Sequence, residues 1–261
     1  MKRFLSLLIF VFIFCGMTMP IRAEFYGNPA TGLLALEKKY PYYLFVPSEY
    51  TQDKSWNLLI IMGERADDPK ELIEPWVEWA KQKKVLVAAV PTLVPEKDLP
   101  EASDRWLIDV KREILERYRV DPANVLLMGT GFGAQYAAYL GLSHPEEFGV
   151  VALIKNAWAG PFERLARPTS EHRRQISFYV LADLQDKNYA ANEKKALQLE
   201  QKGYQIKMEP LKNGEDWLTV RDSLYQWFNE NTEYRALKKK AISDRTLTGK
   251  IKEIRKNIFG G

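Results

Sequence analysis

Five short apolar runs constrain what this chain can fold into. They are WNLLIIM from Trp56 to Met62, VLVAAV from Val85 to Val90, VLLM from Val125 to Met128, VVALI from Val150 to Ile154, and ISFYVL from Ile176 to Leu181. None shows the regular polar alternation of a half-exposed strand, and each is too short for a helix, so each suits a strand buried on both faces. Helical stretches lie between and after them, at Pro69–Lys83, Asp104–Tyr118, Gly133–Leu142, Ala190–Lys202 and Leu218–Asn229. Tyr40–Val46 and Tyr204–Glu209 read as two further strands. Strands that alternate with helices call for an α/β fold, a mostly parallel sheet covered by helices on both faces. Sites in such sheets form at the carboxyl edge of the strands, which directs attention to the loops after Met62, Val90, Met128, Ile154, Leu181 and Glu209.

The first residues stand apart from this pattern. MKRFLSLLIFVFIFCGMTMPIRA has a basic start at Lys2 and Arg3, an apolar run, and a less apolar segment ending in Ala23. This is the layout of a secretory signal peptide spanning residues 1–23, which implies export to a periplasmic or extracellular location. An uncleaved anchor is the alternative, against which the apolar run is short of the ~20 residues a spanning helix needs. Cys15 is the only cysteine. The mature chain would therefore have no disulfide, thiol nucleophile or thiolate metal site.

The net charge of +4 falls to about +1 once Lys2, Arg3 and Arg22 are removed. What remains is uneven, because residues 233–261 hold nine Lys/Arg against three Asp/Glu. A body of about −5 between residues 24 and 232 does not suit nucleic acid. The expected division is a domain at 24–232 followed by a basic helical tail at 233–261. In the tail Leu247, Ile251, Ile254 and Ile258 recur at helical spacing among Lys250, Lys252, Arg255 and Lys256. Such a helix suits an anionic membrane surface, an acidic partner, or the acidic body of the same chain.

The stretch VLLMGTGFGAQYAAYLGLSHPEEF, Val125 to Phe148, reads as strand, glycine turn and helix. With YPYYLFVPSEY upstream, the order of motifs resembles the α/β-hydrolase family, most closely secreted esterases of the feruloyl-esterase and polyhydroxybutyrate-depolymerase type. The resemblance covers roughly residues 38–230 and implies the α/β-hydrolase fold. It also implies a nucleophilic serine at the apex of G-x-S-x-G. Here the pentapeptide is Gly129-Thr130-Gly131-Phe132-Gly133, and the apex is Gly131. Glycine meets the strained apex backbone at least cost, and serine would be tolerated there. Thr130 reads as a turn residue.

The resemblance places the acid of the triad on the loop Ala182-Asp183-Leu184-Gln185-Asp186, with Asp186 the better match and Asp183 the alternative. It places the histidine in Asn213-Gly214-Glu215-Asp216-Trp217, where Asp216 stands instead. An aspartate does not replace an imidazole that shuttles protons near neutral pH. His144, in S-H-P-E-E-F, matches a structural His-Pro, and His172 lies in a polar stretch ahead of a strand. The oxyanion loop reads Met62-Gly63-Glu64-Arg65. Gly63 keeps the turn, Glu64 brings a carboxylate where an anion should develop, and Arg65 offsets it. The Phe132 N–H remains as a donor.

Nucleophile, base and oxyanion loop have all changed. The expected function is an exported ligand- or partner-binding relative of carboxylesterases without catalysis, and the alternative is an ester hydrolase with an unrecognised constellation. No cofactor or metal is implied, and Asp183, Asp186, Glu215 and Asp216 read as a solvated rim. Trp158 and Trp217 are the aromatic candidates for stacking on a small-molecule or glycan ligand. Trp56, Trp76, Trp79, Trp106 and Trp227 read as core.

Overall fold

The computed structural model describes residues 40, 42–65, 67–93, 100–155, 158, 162, 165–166, 176–211, 216–241 and 248–259. The expected signal peptide at residues 1–23, His172 and the segment Asn213-Gly214-Glu215 lie outside the described residues.

The strands are β1 Tyr43–Phe45, β2 Trp56–Met62, β3 Leu86–Val90, β4 Val120–Thr130, β5 Val150–Ile154, β6 Ser177–Asp183 and β7 Gln205–Leu211. The helices are α1 Pro69–Ile73, α2 Val77–Lys83, α3 Glu101–Arg117, α4 Phe132–Ser143, α5 Tyr189–Gln201, α6 Arg221–Ala241 and α7 Thr248–Phe259. The expected single helix over 69–83 is broken by a short 3-10 turn, Glu74–Trp76. Pro75 sits in that turn; it has no N–H to give and its ring opposes a continuous α-helix.

The sheet runs β1-β3-β2-β4-β5-β6-β7. Only β1 is antiparallel, against β3, and every other neighbouring pair is parallel. Alternate residues of β2 serve two cores. Leu58, Ile60 and Met62 pack with residues of α3, α4 and α5, such as Val110, Leu140 and Leu199. Leu59 and Ile61 pack on the other face with Ile73, Trp76, Trp227 and Phe228. This two-sided burial is the reason the strand runs carry no polar alternation.

The chain leaves β2 for β3 on one side and then takes up β4 on the other. That reversal makes the carboxyl ends of β2 and β4 the switch point of the sheet, the place where such sheets build their sites. The register pairs Met62 with Gly129, so the residues just beyond them, Glu64 and Gly131, are brought together.

The boundary expected after Thr232 falls inside α6, which runs without a break to Ala241. The sheet-facing stripe does not end there, because Tyr234 is buried at 4% exposure. Helix α7 turns back onto α6 and β7, buries Ile258 to 1%, and sets Phe259 edge-on to Tyr234 at 6.2 Å. The tail is thus part of the second core layer, since its apolar stripe continues the face that covers the sheet.

Candidate functional site

The glycine turn between β4 and α4 has the geometry of a nucleophile elbow. Gly131 has φ +54° and ψ −115°, a conformation costly for any residue with a side chain. Its N–H donates to the Ile154 carbonyl at 3.0 Å, which ties the turn to the end of β5. The flanking glycines allow close approach: a Cβ on Gly129 would overlap the Gly133 carbonyl, and one on Gly133 would lie 2.6 Å from the Gly63 carbonyl.

The space in front of the apex is filled by Glu64. A Cβ built on Gly131 would overlap Glu64 Oε1 and lie 2.5 Å from Glu64 Cδ. The other carboxylate oxygen, Oε2, accepts the Phe132 N–H at 3.1 Å. This N–H is the first free donor of α4 and the one that an oxyanion would use. A single carboxylate therefore holds both the space where a side chain on residue 131 would stand and the Phe132 N–H beside it.

The Glu64 turn is itself held in place. Asp67 Oδ2 accepts the Glu64 N–H at 2.6 Å, and the Asp67 N–H returns to the Glu64 carbonyl at 3.3 Å. A side chain on Gly63 would overlap Asp67 Oδ2, so glycine is needed there for close approach. Buried Thr92, from the loop after β3, donates its hydroxyl to the Gly63 carbonyl at 2.7 Å. Arg65 lies over the Phe132 ring at 3.9 Å, and Phe132 packs on Phe162 at 5.4 Å. Arg65 thus closes the rim as a cation over an aromatic face. Asp67 and Thr92 gave no signal in the sequence beyond being polar residues in loops.

The remaining expected positions make local hydrogen bonds. Asp183 Oδ1 accepts the Gln185 N–H at 2.9 Å, and Asp186 Oδ1 accepts the Asn188 N–H at 2.8 Å. Both aspartates shape the loop ahead of α5 by local side-chain-to-backbone bonds. Asp216 is exposed and caps the 3-10 turn Trp217–Val220, accepting the Leu218 N–H at 3.0 Å. Its identity is explained by that cap. Thr130 ends β4, half-buried and paired with Ile154.

The two aromatic candidates both pack against the core. Trp158 is 6% exposed, accounted for by packing edge-on to Phe178 at 6.0 Å. Trp217 is half-buried with its ring 5.8 Å from buried Trp76. Trp158 thus belongs to one core layer, and Trp217 packs against the other. Among the described residues no three His, Cys, Asp or Glu side chains group closely enough to hold a metal ion.

At the far end of α4 lies a cavity of about 450 Å³, lined by Glu101, Asp104, Arg105, Tyr139, Ser143 and His144 among others. Asp104 is 3% exposed and accepts hydrogen bonds from Tyr136 at 2.6 Å and Tyr139 at 2.8 Å, with His144 Nε2 at 3.1 Å. Burial first, then Asp104, pushes both tyrosine hydroxyls above their ordinary pKa, so they stay donors. The hydrogen bond to Asp104 raises the pKa of His144 against the opposing effect of burial, with Glu146 and Glu147 adding to the rise. A raised native pKa means that protonation stabilises the fold. That contribution is fully present below about pH 6.5 and is lost as pH rises through the native value. Urea midpoints of the natural chain and of His144→Gln should therefore converge between pH 6 and pH 9. A difference independent of pH would show that His144 acts only by packing.

No protein-family model matches the chain, nor does any curated protein. Its likenesses are to solved structures. S-formylglutathione hydrolase (FrmB) of Staphylococcus aureus superposes with a TM-score of 0.57 at 12% identity, over 74% of this chain and 92% of that one. A thermostable esterase gives 0.56 at 16% identity over 73% of this chain, which spans 58% of that esterase. A CE1 ferulic acid esterase of Anaeromyces mucronatus, solved with ferulic acid, gives 0.52 at 14% identity over 72% of this chain and 83% of that one. Identities this low establish a shared fold.

Proposed function

We propose that this chain, whose fold is the α/β-hydrolase fold of the esterases, is an exported protein that binds a ligand or partner and does not turn over esters. The observation that carries this reading is the seat of Glu64 at the Gly131 apex, with its carboxylate on the Phe132 N–H. Acyl transfer needs a nucleophile at that point and a donor aimed at a developing negative charge. A carboxylate in the same place excludes the first and repels the charge that the second would stabilise. Asp216, spent on a helix cap, provides no base that could replace the imidazole.

The expected result is that purified protein hydrolyses short acyl esters, such as p-nitrophenyl acetate, no faster than the uncatalysed buffer background, and takes no fluorophosphonate label. A saturable rate that disappears in Asp186→Ala or His172→Ala protein would overturn the reading in favour of a working hydrolase.

For the partner, the basic tail is the stronger support, since both tryptophans proposed for ligand stacking are packed. Arg255 and Lys256 are exposed on α7 while Ile258 is buried. The helix therefore turns basic groups outward, toward an anionic membrane surface or acidic partner. Sedimentation with phosphatidylserine vesicles, but not with phosphatidylcholine vesicles, is expected at low salt and should vanish at high salt. Equal binding to both vesicles would remove the electrostatic basis of this surface.

A further inference from the structure

The cavity at the C-terminal end of α4 is separated from the elbow by the length of that helix, roughly 17 Å for its twelve residues. Its volume of about 450 Å³ falls within the roughly 300–1,000 Å³ of small-molecule sites. Six of its eight lining residues are polar or charged, and only Ile108 and Leu165 are aliphatic. An apolar occupant would strand those polar groups away from water.

Two of the polar groups have an open position. The Ser143 hydroxyl is shielded from solvent and has no hydrogen-bond partner. It lies near enough to the Tyr139 hydroxyl to oppose the rise in that phenol's pKa, but Tyr139 already donates its proton to Asp104. A buried hydroxyl is nearly always satisfied, so this one points to an occupant of the cavity it lines. His144 gives Nε2 to Asp104, and the approach of Nδ1 to Glu146, at 3.9 Å, is too long for a hydrogen bond.

The charges disfavour an ion in this place. The carboxylate of Asp104 is buried and already meets Tyr136, Tyr139 and His144. Glu101 and Arg105 are exposed and stand one turn apart on α3, so the mouth carries one charge of each sign. An anion would face Glu101, and a cation would face Arg105. A neutral molecule with several hydroxyl groups meets no such penalty. Each hydroxyl both donates and accepts, so one can donate to Glu101 while another accepts from Arg105.

We propose that this cavity binds a neutral sugar unit, with hydroxyls on Glu101, Arg105 and Ser143 and its C–H face against Ile108 and Leu165. The inference rests on the reading of the chain as a binding protein, and it gives that protein a ligand class and a place away from the elbow.

The test is saturation-transfer difference NMR on the full chain. The neutral probes are D-glucose, D-galactose and D-xylose, and D-glucuronate and D-glucosamine are charged counterparts of the same ring. At least one neutral sugar is expected to bind saturably in the millimolar range, more tightly than either charged counterpart. Arg105→Ala and Ser143→Ala should each weaken that binding by about tenfold, as the loss of one hydrogen bond to the ligand requires. Arg105 is exposed and Ser143→Ala removes only an unpaired hydroxyl, so both variants keep the fold. Binding that survives both substitutions would overturn the site. No saturable binding of any neutral sugar, or tighter binding of a charged one, would overturn the ligand class. Ester hydrolysis enters none of these measurements, so the esterase assay decides the parent reading separately.

Discussion

A chain ended after Thr232 is expected to lose most of its stability. The cut falls inside α6 and removes Tyr234, 4% exposed, together with Ile258, 1% exposed, and Phe259 on its ring. Truncating a large buried side chain costs about 2–5 kcal/mol, so losing Tyr234 and Ile258 alone amounts to roughly 4–10 kcal/mol. Domains of this kind are stable by only about 5–15 kcal/mol. The shortened chain should therefore unfold at a much lower urea midpoint, or aggregate on expression. A cooperative transition within about 1 kcal/mol of the full chain would show that α7 merely rests on the surface. The tail's apolar spacing was legible in the sequence as a helix, but which surface it would cover was not. Only the three-dimensional packing shows that the stripe of α6 continues past Thr232 and that α7 folds back onto it.

Gly131→Ser should be destabilising by about 2–4 kcal/mol, although the resemblance to esterases places serine at this apex. Two costs combine. The serine must adopt φ +54°, and its Cβ must evict the Glu64 carboxylate from the Phe132 N–H. Glu64→Ala alone should cost about 1 kcal/mol or less, because the residue is exposed. Together the two changes should cost less than their sum by about 1–2 kcal/mol, since the second clears the space that the first requires. Urea unfolding of the four proteins of this cycle measures the coupling. Strict additivity would mean that Glu64 does not occupy the apex in solution. Neither variant should take a fluorophosphonate label, because a serine without a base stays protonated.

The elbow shows how far a one-dimensional reading reaches. Glycine at 129, 131 and 133 sets the turn, and the absence of serine is visible in the letters alone. Glu64 was legible as a carboxylate near the oxyanion region. That it fills the apex was not, because it depends on the Met62–Gly129 register between β2 and β4 and on the Asp67 hydrogen bond that fixes the Glu64 turn. Trp158 fared differently. A tryptophan after a strand is equally consistent with a cleft wall and with core, and only the packing against Phe178 decides between them.

Local chemistry fixed the strands, since runs such as WNLLIIM bury on two faces wherever they are placed. Tertiary structure decided everything that needs two distant segments to meet. It seated Glu64 of the β2 loop against Gly131 of the β4 turn, and it set His144 and two tyrosines on Asp104. It also pressed Arg235 of α6 onto Gly149 before β5. The physical reason is range. Propensity and hydrophobic period act over a few residues along the chain, whereas a carboxylate's partner, a helix's covering surface and a buried charge's compensation are set by strand register and packing between residues far apart in sequence.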